Sequence, residues 1–394
     1  MLLLLPCDIR FIIYDLILAD TTTVRHSIQP CNTHFRLLNS CRLVYYEARL
    51  SFHRYVSLRN EFQIKHFHNH IFSSPETALS VRWADVANDG RIVETLHTGR
   101  STPASQLYRV LAKLPCLERL RVFDVRHYHP YTMNVPQLRY HLDFEGAMYP
   151  HRDDATLPHL ASYELYLDPS TRVTPFDRLP DDRVCSLRLS GECRLSSKAS
   201  FPALRHLTIR SVTSNAFDRL EFNSVFAGSQ LESFIHSQGD RLGFEVRNIH
   251  LQSLIDGPGR CLRKLVLLGC ARLSSSEIAS CLRSLPTLHY FALSIVTVNE
   301  LRENFILALG PCLRTLKLQV THAWYAVPLF DEERVICNSL EERVLSPNSP
   351  LATIYISFHS RLMIEDRREE RWKRIAHAQH LTLKIGPWED GEET

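Results

Sequence analysis

The apolar positions of this chain fall into short triplets with one internal spacing. Leu262, Leu265 and Leu267 form the first; Leu288, Phe291 and Leu293 repeat it 26 residues later, and Leu313, Leu316 and Leu318 after 25 more. A frame of this kind predicts a short strand whose alternate side chains point to one side. Between frames the pattern changes to helical spacing. Ile278, Cys281, Leu282 and Leu285 share one helix face, Ser274 to Ser276 offer an N-cap, Glu277 suits the first turn, and Pro286 stops the run. Leu301, Phe305, Ile306 and Leu309 predict a second helix, closed by Gly310 and Pro311. Further frames are expected at Leu117/Leu120/Val122, Leu160/Tyr163/Leu165, Val184/Leu187/Leu189, Leu204/Leu207/Ile209, Leu231/Phe234, Leu251/Leu254, Leu351/Ile354/Ile356 and Ala378/Leu381/Leu383.

One strand and one helix recurring at roughly 20–29 residues is the signature of a leucine-rich-repeat solenoid. The expected fold class is therefore α/β, a leucine-rich-repeat solenoid of parallel strands plus helices. No unit of this kind buries its apolar face alone, so neighbours must stack. The array is expected over residues 104–386, entered by a helix carrying Leu107, Val110, Leu111 and Leu114. Residues 124–158, with Pro130, Pro136, Pro150 and Pro158, read as an inserted loop or a degenerate repeat. Residues 57–103 read as a transition segment, with short strands at Val56 to Leu58 and Ala78 to Trp83 broken by Pro75; residues 387–394 read as an acidic tail.

The first 56 residues have a different pattern. Pro6 fits the first helical position, Asp8 the first turn, and Ile9, Ile13, Leu16 and Ile17 form an apolar face. Residues 19–34 are polar and read as a loop. A second helical run follows, with Leu37, Leu38, Cys41, Val44, Tyr45 and Ala48 on one face. Two short amphipathic helices make little core by themselves and need a partner surface. Leu5-Pro6-x-Asp8-Ile9 with Ile13, then Leu38-x-x-Cys41-Arg42-x-x-Tyr45 and Glu47-Ala48, resembles an F-box, most closely the divergent fungal type. Tyr45 and Tyr46 stand where many F-boxes carry a tryptophan. The resemblance covers about residues 4–56, a small all-α cap (domain 1–56), and the repeats that follow are similar to those of F-box/leucine-rich-repeat proteins. Cys261, Leu262, Leu265, Leu267, Cys270, Leu273 and Ile278 fall on the cysteine-containing repeat pattern of such proteins.

The resemblance implies a substrate-recognition subunit of a Skp–cullin–F-box ubiquitin ligase. It implies that Leu5, Pro6, Ile9, Ile13, Leu38, Cys41 and Val44 meet a Skp-type adaptor of a cullin–RING ligase. An apolar helix face without local cover suits such docking. The alternative is that these side chains pack on the first repeat, and the chain is a leucine-rich-repeat scaffold without a ligase partner.

Composition narrows the remaining classes. An apolar fraction of 44% and a charged fraction of 23% belong to a folded chain rather than a disordered one. A net charge of +3 is too small to indicate nucleic acid. Eleven cysteines, often beside leucines, read as small core hydrophobes of a reducing compartment. The opening leucines lack a basic flank and are interrupted by Pro6, Asp8 and Arg10, and no apolar run reaches the ~18–20 residues of a membrane span. A cytoplasmic or nuclear location is expected, with no membrane and no nucleic-acid partner.

Candidate chemistry is sparse. His66, His68 and His70 would share one face of a strand, but no cysteine or carboxylate stands at matching spacing, so a solvated polar stretch is preferred to a metal site. His127 and His129 sit in a loop beside Pro130, and the charged run 366–374 reads as a solvated helix. There is no phosphate-binding glycine loop, nucleophile elbow or metalloprotease helix. No catalytic residue, cofactor or metal is assigned. What remains is the strand face opposite the frames. Arg121, Arg188, Arg210, Lys264 and Lys317 are expected there, in a set without carboxylates, either as solvated residues that serve solubility alone or as contacts for an acidic or phosphorylated client.

Overall fold

The structure is a computed structural model that describes residues 4–95, 98–125, 138–151, 157–219, 221–239, 243–297, 301–346 and 349–388. It contains two compact units, Met1–Ala199 and Ser200–Asp390. Both are α/β, with a ladder of parallel strands and helical or turn segments between them.

In the first unit the strands Tyr55–Leu58, Trp83–Asn88, Arg119–Asp124, Ser162–Tyr166 and Ser186–Cys193 lie side by side in chain order. The register aligns Val56, Ala84, Leu120, Tyr163 and Leu187, all buried. Parallel neighbours need a crossover. The helices Glu61–Ser73 and Pro75–Ser80 supply one, and Leu107–Leu111 lies on the next. The ladder therefore starts at Tyr55, not near residue 104, and the expected transition segment supplies two strands of it. Ala78 belongs to a helix with Pro75 in its first turn, where a missing N–H costs nothing, and the next strand starts at Trp83. His66, His68 and His70 lie on the helix Glu61–Ser73, whose N-cap Asn60 accepts from the Gln63 amide at 3.0 Å. At 3.6 residues per turn His66 and His70 keep one face and His68 turns away from it. A small antiparallel sheet, with Arg91–Thr95 between Ser101–Pro103 and Leu138–Leu142, is inserted in this unit. His127 and His129 lie outside the described residues, as does the acidic run 389–394.

In the second unit the parallel order is His206–Val212, Ser233–Ser237, Lys264–Cys270, Tyr290–Thr297, Thr315–His322, Thr353–Ser357 and Thr382–Ile385. The expected triplets fall into rows. Leu207, Phe234, Leu265, Phe291, Leu316, Ile354 and Leu383 are in register, and so are Leu267, Leu293, Leu318, Ile356 and Ile385. The last frame is thus shifted two residues from the expected one: Leu383 and Ile385 take the inward positions, and Ala378 ends a helix. Leu251 and Leu254 are buried on the helix Asn248–Asp256 rather than on a strand. The helix Ser275–Ser284 forms as its pattern predicts, with Ser274 Oγ accepting from the Glu277 amide at 3.2 Å. The predicted helix over 301–309 is only a 3-10 turn, Phe305–Ala308, which still buries Phe305 and Ile306. Gly269, with φ of +73°, carries a bulge where the register between Leu268 and Cys270 shifts.

Phe291 is fully buried between Leu265 and Leu316. Phe291→Ala is expected to cost about 3–5 kcal/mol by equilibrium urea unfolding. Leu307→Ala, at a half-exposed turn position, is expected to stay within about 0.5 kcal/mol of the parent.

Candidate interaction surfaces

The N-terminal residues build a helical module with its own core. Helix Cys7–Thr22 starts behind Pro6, whose fixed φ and missing N–H suit the N-cap position it occupies, and Asp8 stands in the first turn. The second run breaks at residues 39–41 into Phe35–Leu38 and Arg42–Phe52. Tyr14, Leu38, Val44, Ala48 and Phe52 pack together, with Ile17, Phe35, Leu37 and Cys41 around them. Arg10 ties the helices by donating to both oxygens of Glu47, at 2.9 and 2.5 Å, while Tyr14 donates to the same carboxylate at 3.1 Å. The Arg10 guanidinium holds the Glu47 carboxyl below its usual range.

This geometry divides the expected adaptor set. Leu38 and Val44 are core, not surface, and Cys41 packs against that core. Leu5 and Ile13 are half-buried; Pro6 and Ile9 are exposed. On the first helix Arg10 and Tyr14, satisfied by Glu47, take the buried face, so the expected apolar face is left partly open at Ile9 and Leu16. The open face of the first helix carries Ile9, Ile12 and Leu16, spaced i, i+3, i+7, with Leu16 64% exposed. Helix Arg42–Phe52 repeats the spacing with Leu43, Tyr46 and Leu50, and Tyr46 is 68% exposed. The missed signal was that each helix carries apolar residues on two sides.

Residues 22–34 are not a free loop. Gln29 donates to Ser57 Oγ and to the Asp85 carbonyl, both at 3.0 Å, and Ser57 Oγ donates to the Pro30 carbonyl at 2.5 Å. Asn32 exchanges two hydrogen bonds of 2.7 Å with the Ser57 backbone. Arg121 lies beneath this cover. It is 3% exposed, holds Asp85 in a bidentate pair at 2.7 Å, donates to the Thr22 carbonyl at 2.7 Å, and stacks 4.3 Å from the Trp83 ring centroid. Tyr55 donates to the same Asp85 carboxylate at 2.7 Å. Arg121 is thus an internal anchor rather than a client contact. Arg188 is also buried, 4.2 Å from the centroid of Tyr166. The register places Ser57, Asp85, Arg121, Glu164 and Arg188 in one row, so this face alternates acid and base, contrary to the carboxylate-free expectation.

In the second unit Lys317 is 3% exposed and is likewise not a client contact on the open surface. Its ammonium lies 5.4, 5.0 and 5.8 Å from the rings of Tyr290, Tyr355 and Trp388. Trp388, within the expected acidic tail, packs on Val266 and Ala292 of the same face and is buried. Lys264, 4.7 Å from Tyr290, and Arg210 remain half-buried. Trp324, Tyr325 and Val327, which no frame or helix pattern singled out, are a strongly exposed apolar group among the described residues, with Trp324 94% exposed.

A cleft of about 390 Å³ is lined by Phe35, His53, Val56, Leu58, His66, Phe67 and His70. The His53 and His70 rings stack at 5.6 Å and 19°, which aims their in-plane lone pairs alongside each other rather than at a shared point. No cluster of three or more metal-ligating side chains occurs among the described residues. Among them, no helix is long and apolar enough to cross a membrane.

Asp85→Ala should strand the Arg121 guanidinium and cost about 3–5 kcal/mol in urea unfolding, because one buried charge loses its partner. His34 offers a pH test. Burial among Phe35, Phe52 and Tyr55 lowers its pKa from the ordinary 6.5 to about 4. The unfolded chain therefore binds a proton first as pH falls, and stability present above pH 6.5 is lost between there and about pH 4. His34→Phe should flatten that loss by roughly 3 kcal/mol, measured as the difference in unfolding free energy between about pH 7.5 and about pH 4.

No protein-family model matches this chain, and no curated protein matches it in sequence. Its residues and their geometry carry the functional reading.

Proposed function

We propose that this chain is the substrate-recognition subunit of a Skp–cullin–F-box ubiquitin ligase. In this reading residues 1–56 are an F-box-like cap that docks on a Skp-type adaptor, and the strand ladders are leucine-rich-repeat solenoid turns that hold the client. The chain performs no bond chemistry; it brings a client to the cullin–RING assembly that does. The observation that carries the reading is the module at the N-terminus. Three helices with a private core and a buried Arg10–Glu47 tie still leave Ile9, Ile12, Leu16, Leu43, Tyr46 and Leu50 in solvent. Apolar stripes on helices that are already packed on their other side suit helix-to-helix docking with a partner.

The adaptor face is accordingly Leu5, Pro6, Ile9, Ile12, Ile13 and Leu16 of the first helix and its lead-in, with Leu43, Tyr46 and Leu50 of the last; Leu38, Cys41 and Val44 support it from within. The competing reading is a repeat scaffold whose cap only closes the ladder. The seam from Gln29 to Asn32 along Ser57 favours such a closing role for residues 22–34, and the two roles use different residues.

Pro6→Arg with Ile9→Asp, and separately Leu16→Asp, change exposed positions and should leave the melting transition in place. Each is expected to lower recovery of a co-expressed Skp-type adaptor at least about tenfold, the equivalent of losing ~1.4 kcal/mol of docking energy. Undiminished recovery, or no adaptor bound to the parent chain, would select the scaffold.

A further inference from the structure

The face of the second unit that carries Trp388 has the composition of a binding site rather than of an ordinary core. Its central row, in register across six strands, reads Ile235, Val266, Ala292, Lys317, Tyr355 and Lys384. Lys264 and Tyr290 stand in the neighbouring row. None of these positions is a carboxylate, whereas the matching face of the first unit carries Asp85 and Glu164. The floor under the indole is Val266 and Ala292, both fully buried. Around it stand two tyrosines and the Lys317 ammonium, which faces Tyr290, Tyr355 and Trp388 within 6 Å of each ring. Cations over aromatic rings at such distances gain most when water is excluded.

Trp388 fills this seat but fits it incompletely. Its indole N–H is buried with no acceptor among the described residues. Its backbone N–H reaches Gln319 Oε1 only at 3.4 Å. A buried donor left without an acceptor weakens the seating. The approach to the seat is a turn at Gly386, with φ of +118°, immediately after the edge strand Thr382–Ile385. In sequence, Trp388 is followed by Glu389, Asp390, Glu392 and Glu393. The chain therefore seats on its own lysine-bearing face an aromatic residue that acidic residues follow in sequence.

We infer that this face is a recognition site for a partner segment consisting of an aromatic residue followed by acidic residues, and that Gly386-Pro387-Trp388 occupies it as a built-in stand-in. The partner's aromatic side chain lies on Val266 and Ala292 between Tyr290 and Tyr355. Its carboxylates meet Lys264 and Lys384, the less buried of the lysines. Capture in trans requires Trp388 to leave, so the affinity seen by a partner is reduced by the fraction of chains in which the seat is closed. This inference rests on reading the repeats as the client-holding part. Its test uses the chain alone, so failure of adaptor docking leaves it standing.

The probe is a labelled synthetic peptide of residues 386–394, titrated by fluorescence anisotropy. Trp388→Ala is expected to bind it at least about tenfold more tightly than the parent chain. Replacing the peptide's tryptophan by alanine, or its acids by their amides, should abolish the gain, and Lys264→Glu with Lys384→Glu should do the same. A Trp388→Ala chain that melts cooperatively yet binds no peptide overturns the proposal, as does equal binding of the neutralised peptide. If Trp388→Ala fails to fold, hydrogen exchange at residues 386–388 of the intact parent decides. Excess peptide must accelerate it, and unchanged exchange overturns the proposal.

Discussion

Leu265 is buried because Phe234 lies on one side of it and Phe291 on the other, and neither of those is buried without its own neighbour. Each strand is four to eight residues long in the ladder and contributes only two or three inward side chains. Burial is therefore a property of rows, not of strands, and backbone pairing and apolar packing support the same register. The helices and turns between strands cover the frame side of the layer. They differ widely in form, from the ten-residue helix Ser275–Ser284 to the four-residue turn Phe305–Ala308, because the rows ask of them only an apolar cover and a return path.

The opposite face is where the chain departs from a uniform repeat. In the first unit an acid–base row is closed over by residues 22–34, and the cost of burying Asp85 and Arg121 is offset by two mutual hydrogen bonds, the Tyr55 hydroxyl, the Thr22 carbonyl and the Trp83 ring. In the second unit lysines and tyrosines receive Trp388. Cationic residues that alternate with frame positions are thus largely committed to contacts within the chain. An outward-facing strand position is a statement about direction and not about access.

The strand frames were the legible part of the sequence. Leu265, Phe291, Leu316 and Ile354 occupy one row as their spacing implies. Illegible were features set by contacts distant in sequence. Arg10 reads as a solvated residue until Glu47, 37 positions away, is brought to it, and with Tyr14 it takes the buried side of the first helix. Arg121 reads as a surface cation until Asp85 and Thr22 arrive. Leu251 and Leu254 have a spacing that strands and helices share, and only length separates the two. The strands at Tyr55 and Trp83 join the ladder although their row holds Ala84, a small residue that sits between Val56 and Leu120.

Uneven returns between evenly registered strands have an evolutionary corollary. Leu316 and Ile354 pair directly although 37 residues intervene, against 24 between Phe291 and Leu316. Lengthening a return disturbs no row, and each doubling of a flexible excursion adds only about 0.6 kcal/mol of closure entropy. The fold can therefore accept new sequence on its return side, such as the stretch holding Trp324 and Tyr325, while the ladder keeps its geometry, so lineages can diversify there without re-founding the core.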